Sequence, residues 1–472
     1  MEKALADAGM TALEIDYINL HGTGTVDNDR AEARAIRDLF GDPPPLSSIK
    51  GIFGHSLGAA GAIEAAASVL CISRGFVPPN VGCSVPDPGL GLLPVLKGKE
   101  GKVGAVLSNS FGFGGNNAAL ILADPARGPG TAKGRGMMEF SLSGMACLTG
   151  AGATDDTLER FHRGEALLGR PDLGTIRTGL SAGSLRRLRR LPRMTLVLAD
   201  AAHAASRAAG TEAPPEGIYF GTGWGPLTET HDFLEQLFAS DEKFTSPTDF
   251  IGSVHNAPAS QAAIRLKARG PNITATGGDI SFEQALFCAS LIAKEGDGPV
   301  LVIAADEYHD VLSPRLDPAS LNGGAADGGA AFMLRPRMSA TGLRLVPAFL
   351  SYVPEGEEGI SPLIEVLGGP ERICRRFGAV FAGIPAGTRP LGEACLADFL
   401  RRTGFPGVIF DYRCTTGEFA GSSAIAAALA IDALSRGVLP SHLSGQAGTA
   451  LEGKGILLLG LGEFVTAIEA MR

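Results

Sequence analysis

Three short segments carry the groups that do chemistry. His21 opens HGTGT (21–25). His55 lies in KGIFGHSLGAAG (50–61), five residues after Lys50. SNSFGFGG (108–115) places Phe111, Gly112 and Phe113 in a glycine loop. Imidazoles at strand or loop ends beside such turns can donate a proton or present N–H groups to an oxyanion. The plainer alternative for each histidine is a turn cap or a satisfied core group. Gly54-His55-Ser56-Leu57-Gly58 also fits G-x-S-x-G, the nucleophile elbow of serine hydrolases. That elbow needs an apolar strand directly before it, and SSIKGIF carries Lys50 and Gly51 instead.

These groups need elements to hold them. The spacing predicts a helix over 2–9, a strand over 15–20, an amphipathic helix over 30–40 and a small-residue helix over 58–73. A strand over 103–108 and a second over 118–122 flank the glycine loop. Residues 125–136, PARGPGTAKGRG, lack apolar periodicity and read as a linker. Beyond it, helices over 193–209, 257–268 and 282–295 alternate with strands over 217–220, 272–276, 300–304 and 330–334. The alternation gives an α/β layer architecture.

Composition bounds the function. Gly 65 and Pro 30 of 472 residues exceed ordinary usage, which is about 12% for the two together. Without a three-residue period they serve tight turns and close packing rather than collagen. The net charge of −9 and pI near 5.5 argue against nucleic-acid binding. No run is read as the ~18 apolar residues of a membrane helix, and MEKALADAG has no signal-peptide core. The seven cysteines are spread singly, so neither a disulfide framework nor a zinc ribbon is expected. A cytoplasmic protein with no metal and no cofactor is the expectation.

An internal repeat organises the chain. GHSLGAAGAIEAAASVLCISRGFVPPN from Gly54 matches GEFAGSSAIAAALAIDALSRGVLPSHL from Gly417, with one residue deleted in the second copy. Each copy leads to a strand and a glycine turn. The sequence therefore holds two versions of one half-domain, and 137–335 is the one candidate partner half between them.

HGTGT with Asp29 and Glu32, Lys50-x-x-x-Gly54-His55-x-x-Gly58-Ala-Ala-Gly61-x-x-Glu64, and SNSFGFGGNNAAL (108–120) occur in the order seen in β-ketoacyl-acyl-carrier-protein synthases. Residues 1–125 resemble the C-terminal half of that family, which has the thiolase-like fold, layered αβαβα. The resemblance implies decarboxylative Claisen condensation of malonyl-ACP with an acyl thioester, in fatty acid, polyketide or aryl-polyene synthesis. His21 and His55 would hold the malonyl thioester carbonyl, with Lys50 polarising their pocket. The Phe113 N–H would serve the oxyanion and its ring the gate, with Phe111 and Gly112 in the same loop.

The family's nucleophile is a cysteine, and residues 1–70 contain none. Residues 137–472 resemble the same family in degenerate form, as one full two-half unit: 137–340 as N-terminal half and 341–472 as C-terminal half, after a 126–136 linker. Asp279 stands where the cysteine would, Glu418 pairs with His55, Arg413 pairs with Lys50, and FAGIPAGTRP (381–390) replaces HGTGT. This pattern is similar to a chain-length factor, the non-catalytic partner of a ketosynthase. The implied partners are an acyl carrier protein and a ketosynthase N-terminal half or full ketosynthase subunit, forming a pseudo-dimer, with no nucleic acid and no membrane span. The chain is expected to be incomplete for condensation as encoded, its true start lying upstream or the missing half coming from another chain. A purely structural partner and decarboxylation without condensation are the alternatives. SLRRLRRLPR (184–193), with five arginines, is either a solvated face or a dock for an acidic carrier protein.

The hydrolase alternative has a direct check. A fluorophosphonate probe is expected to leave Ser56 unlabelled, and covalent labelling there would establish a hydrolase.

Overall fold

In the computed structural model, residues 1–112, 115–127, 138–176, 188–243, 246–318, 325–337, 342–353, 359–445 and 448–472 are described. The chain divides into two units, Met1–Arg135 and Gly136–Arg472. In the first, β1 (Tyr17–Asn19) is followed by α1 (Val26–Phe40), β2 (Leu46–Ser47), α2 (Lys50–Phe53) and α3 (Ala60–Arg74). β3 (Ala105–Gly112) and β4 (Asn116–Ala123) complete a sheet of order β2-β1-β3-β4, antiparallel only between the last two. α1 begins four residues earlier than the apolar periodicity indicates. Thr25 has extended backbone at its start, and Asp27 and Asp29 in the first turn complement the helix dipole.

The second unit starts with β5 (Glu139–Leu148), α4 (Arg190–Ala208), β6 (Gly217–Gly221), β7 (Asn272–Ala275), α5 (Ser281–Ile292), β8 (Val300–Asp306) and β9 (Gly328–Arg337). It continues with β10 (Arg344–Tyr352), β11 (Phe377–Gly383), β12 (Val408–Asp411), α6 (Arg413–Thr416), α7 (Ser422–Arg436), β13 (Gly455–Leu461) and β14 (Phe464–Met471). Ten strands form one sheet, β12-β11-β13-β14-β10-β5-β9-β8-β6-β7. Counted along the chain within each five-stranded half, both halves have the order 3-2-4-5-1, and they join where Leu345 pairs with Phe140. The four strands of the first unit reproduce strands two to five of this pattern.

Alternation along the strands sends successive side chains to opposite faces. Ile218, Phe220, Leu301 and Ile303 pack with α4, whereas Tyr219, Val302, Phe332, Phe381 and Ile468 pack with α5 and α7. Val380, Leu457 and Leu459 face a third core with the helices of residues 360–403. The second unit is thus a layered αβαβα arrangement, with α5 and α7 in its middle.

The repeat now has a packing meaning. α7 is buried along nearly its whole length, because strands of both halves contact it. Its counterpart α3 buries only Ala60, Glu64, Ser68 and Cys71, the face turned to β3 and β4. Val69 is 51% exposed, while its repeat equivalent Ile431 is 2% exposed. The stretch Leu57–Arg74 is also long and apolar enough, by length and composition alone, to cross a membrane. This corrects the expectation of no such run. The composition fits a central thiolase-like helix equally well, since α7 has it too and is covered by protein.

The contrast predicts unequal costs. Ile431→Ala is expected to lower stability by about 2–5 kcal/mol. Val69→Ala should stay within about 0.5 kcal/mol. Urea unfolding of the two variants, each followed in its own unit, checks the difference.

Candidate active site

Five elements of the first unit converge on the histidines. β1 delivers His21 at its C-terminal end, where the side chain is buried. The turn is set by Glu32 of α1, whose carboxylate accepts the backbone N–H of His21 at 2.9 Å and of Gly22 at 2.9 Å. Gly22 has φ +45°, and a Cβ there would lie 2.6 Å from Ser48 Cβ. Only glycine allows this approach. α2 carries Lys50, and the loop between α2 and α3 carries His55. The His21 and His55 rings lie 5.6 Å apart, nearly perpendicular, and His21 lies 5.6 Å from Phe111 of β3.

Lys50 is the charge at the centre. Its ammonium pairs with Glu64 of α3, both side chains buried, and approaches His21 Nδ1 at 3.4 Å. Glu64 also accepts from Ser110 Oγ at 3.2 Å. An ammonium only donates, so Nδ1 of His21 accepts and Nε2 carries the proton. His55 has the same polarity, since its Nδ1 accepts the Leu57 N–H at 3.2 Å. Burial first, then Lys50 and His55, lower the His21 pKa to about 4. Burial and Lys50 lower that of His55. Both imidazoles are neutral N–H donors at neutral pH, the form suited to stabilising an oxyanion.

The structure thus brings His21, Lys50, His55 and Phe111 together, with Gly112 at the end of β3. Phe113 lies outside the described residues. Ser56 follows the helical turn α2 rather than a strand, so the elbow geometry of a hydrolase is not formed. A cavity of about 560 Å³ opens beside Lys50 and His55, with Thr23, Asn80 and Asp87 in its wall. Sequence reasoning missed Asn19 and Asn109. Their Oδ1 atoms are buried without a hydrogen-bond partner, and Asn109 Nδ2 donates to Glu32 at 3.1 Å. No spacing rule marks them, because they reach the site only through the pairing of β1 with β3.

The equivalent place in the second unit is differently built. Asp279 lies in the turn before α5, Arg413 begins α6 and Glu418 lies between α6 and α7. Arg413 donates to Asp279 Oδ1 at 2.6 Å and to Glu418 Oε2 at 3.1 Å. Glu418 also accepts the Ala386 N–H at 3.3 Å, from the segment that replaces HGTGT. Glu283 of α5 accepts from Ser423 Oγ of α7, and burial raises its carboxyl to about 7. Cys288 is half-buried in α5, against the unit's core.

The arginine-rich segment is only partly described, residues 184–187 lying outside. Arg190 is not a free docking group: it opens α4 and ion-pairs with buried Asp327. Arg193 donates to Leu173 O at 2.7 Å, and Arg189 pairs with Asp232 at 2.7 Å. Among the described residues, His231, Asp232 and Glu235 are close enough to share a cation, on a partly exposed helix apart from these sites.

A strand order repeated in both halves of the ten-stranded sheet and, for strands two to five, in the four-stranded sheet defines a thiolase-like, ketosynthase-type architecture, with His21 just past a strand end and His55 on the facing loop. Comparison with known proteins agrees. Residues 1–84 match the family described as beta-ketoacyl synthase, C-terminal domain, and residues 181–322 match beta-ketoacyl synthase, N-terminal domain. The chain is therefore related to the β-ketoacyl synthases, with the two kinds of domain in the reverse of their named order. Over 127 residues it is 46% identical to 3-oxoacyl-[acyl-carrier-protein] synthase 2 of Coxiella burnetii, which is 26% of this chain and 31% of that protein. It thus spans about a third of that curated relative's length. A solved PfaC ketosynthase–chain-length factor has the same fold, with TM-score 0.70 and 17% identity, covering 100% of this chain and 58% of the other. The ishigamide ketosynthase/chain-length factor aligns with TM-score 0.55 and 16% identity, covering 71% of this chain and 100% of that one.

The Lys50 contacts predict a titration. In Lys50→Met the His21 pKa is expected to rise from about 4, because one of the charges opposing the imidazolium is gone. His21 favours the neutral form in the folded state, so its contribution to stability falls as pH drops from about 6.5 to about 4. NMR titration of the histidine ring protons, with Glu64→Gln added to remove the stranded carboxylate, checks the shift.

Proposed function

We propose that the first unit is the histidine-bearing half of a β-ketoacyl-ACP synthase and that the second is its chain-length-factor-like, non-catalytic partner. The observation that carries this reading is the contrast between the two equivalent places. One holds two neutral imidazoles, with His55 in the wall of an open cavity, and the other holds an ion-paired Arg413–Asp279–Glu418 cluster.

The chemistry is decarboxylative condensation. A malonyl thioester on an acyl carrier protein places its thioester carbonyl against His21 and His55. The C–C bond to the carboxylate breaks, CO₂ leaves, and the electron pair moves to the thioester oxygen as an enolate held by the two Nε2–H groups. The enolate carbon then attacks the carbonyl of an acyl group carried on a cysteine, the new C–C bond forms and the thiolate leaves. The cysteine comes, in this reading, from a ketosynthase N-terminal half seated on the exposed face of α3, as β5, β8, β9 and α5 sit on α7. The Coxiella relative's name specifies an acyl carrier protein, which supports that partner. A cytoplasmic location belongs to the same proposal, and all seven cysteines are free thiols.

The assay uses purified full chain, malonyl-carrier and acyl-carrier, with and without a cysteine-bearing N-terminal half. Condensation product is expected only with the added half. His55→Ala in that complex should then reduce the rate by roughly 100-fold or more. Full activity of His55→Ala would instead favour a purely structural role. Product from the chain alone would show a nucleophile elsewhere in it.

A further inference from the structure

The two units keep a buried cation at the same place in the repeat but balance it differently. In the first, Lys50 takes its counter-charge from Glu64, on the helix that follows it in the same half-domain. In the second, the repeat aligns Glu64 with Ala426, which is fully buried and carries no charge. Arg413 is nevertheless retained, its side chain only 2% exposed. A buried guanidinium without a partner is strongly disfavoured.

One partner, Glu418, is local, and the other comes from the other half. Asp279 belongs to the half built from β5 to β9, whereas Arg413 and Glu418 belong to the half built from β10 to β14. Asp279 remains 40% exposed, so its carboxylate is the less costly of the two to hold there. Ser423 of α7 donates to Glu283 of α5 at 3.1 Å, a second polar tie between the same two helices. Arg389 flanks the cluster, bonded to Asp411 Oδ2 at 3.0 Å and 3.8 Å from Glu418.

We infer that the degenerate centre of the second unit is an ionic latch, in which Arg413 joins Asp279 of one half to Glu418 of the other and fixes the register of α5 against α7. The inference does not depend on the first unit's catalytic role. A latch of this kind has a recognisable signature. Removing one member strands a buried charge and loosens both halves, whereas removing all three together relieves the desolvation cost and restores most of the loss. A cluster that merely fills space loosens only the half in which the substitution is made.

Hydrogen exchange of the full chain separates the two. Asp279→Asn, a change at a partly exposed position that should fold, and Arg413→Met are each expected to reduce amide protection in α5 and α7 alike, by roughly tenfold or more. The triple variant Arg413→Met, Asp279→Asn, Glu418→Gln should regain most of it. Loss confined to α7 and its half in Arg413→Met, unchanged protection of α7 in Asp279→Asn, or additive losses in the triple variant would overturn the latch. Arg413→Lys, which keeps the charge, should fall between wild type and Arg413→Met, and equality with Arg413→Met would also count against it.

Discussion

A buried cation at the head of the small-residue helix is the constraint on which both units turn. A lysine or arginine withdrawn from water must be met by carboxylates with good geometry. In the first unit Glu64 meets it from within, which leaves the Lys50 ammonium free to point at His21 Nδ1 and to fix the tautomer of that ring. In the second unit Ala426 stands at the position of Glu64, and the charge is met by Asp279 and Glu418. The same electrostatic requirement thus yields an open pair of N–H donors in one case and a closed cluster in the other.

The strand order explains why one chain can hold both outcomes. Each half of the second unit has the order 3-2-4-5-1 and the first unit repeats its 3-2-4-5 part, so the end of strand two and the end of strand four lie side by side in all three. His21 and Phe111 come from such strand ends in the first unit, and Glu418 meets Ala386 at the corresponding place in the second. The scaffold decides where groups meet. The side chains decide whether the place does chemistry or holds the protein together. The exposed face of α3 follows from the same plan, because the half that covers α7 has no counterpart among the described residues of the first unit.

Much of this was legible in the sequence because it is local. The glycine turns, the alternating apolar runs and the GHSLGAAG–GEFAGSSA repeat mark many of the elements and their duplication: the strands expected between residues 15 and 334 are each observed within a few residues, whereas β10, β11 and β12 are not among those expected. His21, His55 and Lys50 sit in local motifs, and the structure brings the three side chains together. What was not legible is what the sheet brings together. Asn19 reaches Ser108, and Asn109 reaches Glu32, only through the pairing of β1 with β3 and its packing on α1. Arg413 finds Asp279 at a separation of 134 residues. The arginine-rich segment misled for the same reason: Arg190 reads as a surface charge until Asp327, buried and distant in sequence, is seen to hold it.

The central claim is that the first unit holds a working thioester-oxyanion site and the second does not. The most direct measurement is a structure of the full chain, complemented with a cysteine-bearing N-terminal half, bound to a malonyl thioester analogue that cannot lose CO₂. The account predicts the analogue's carbonyl oxygen within about 3 Å of Nε2 on both His21 and His55, with the Arg413–Asp279 pair intact. An analogue bound at Arg413, or one placed away from both histidines, would contradict it.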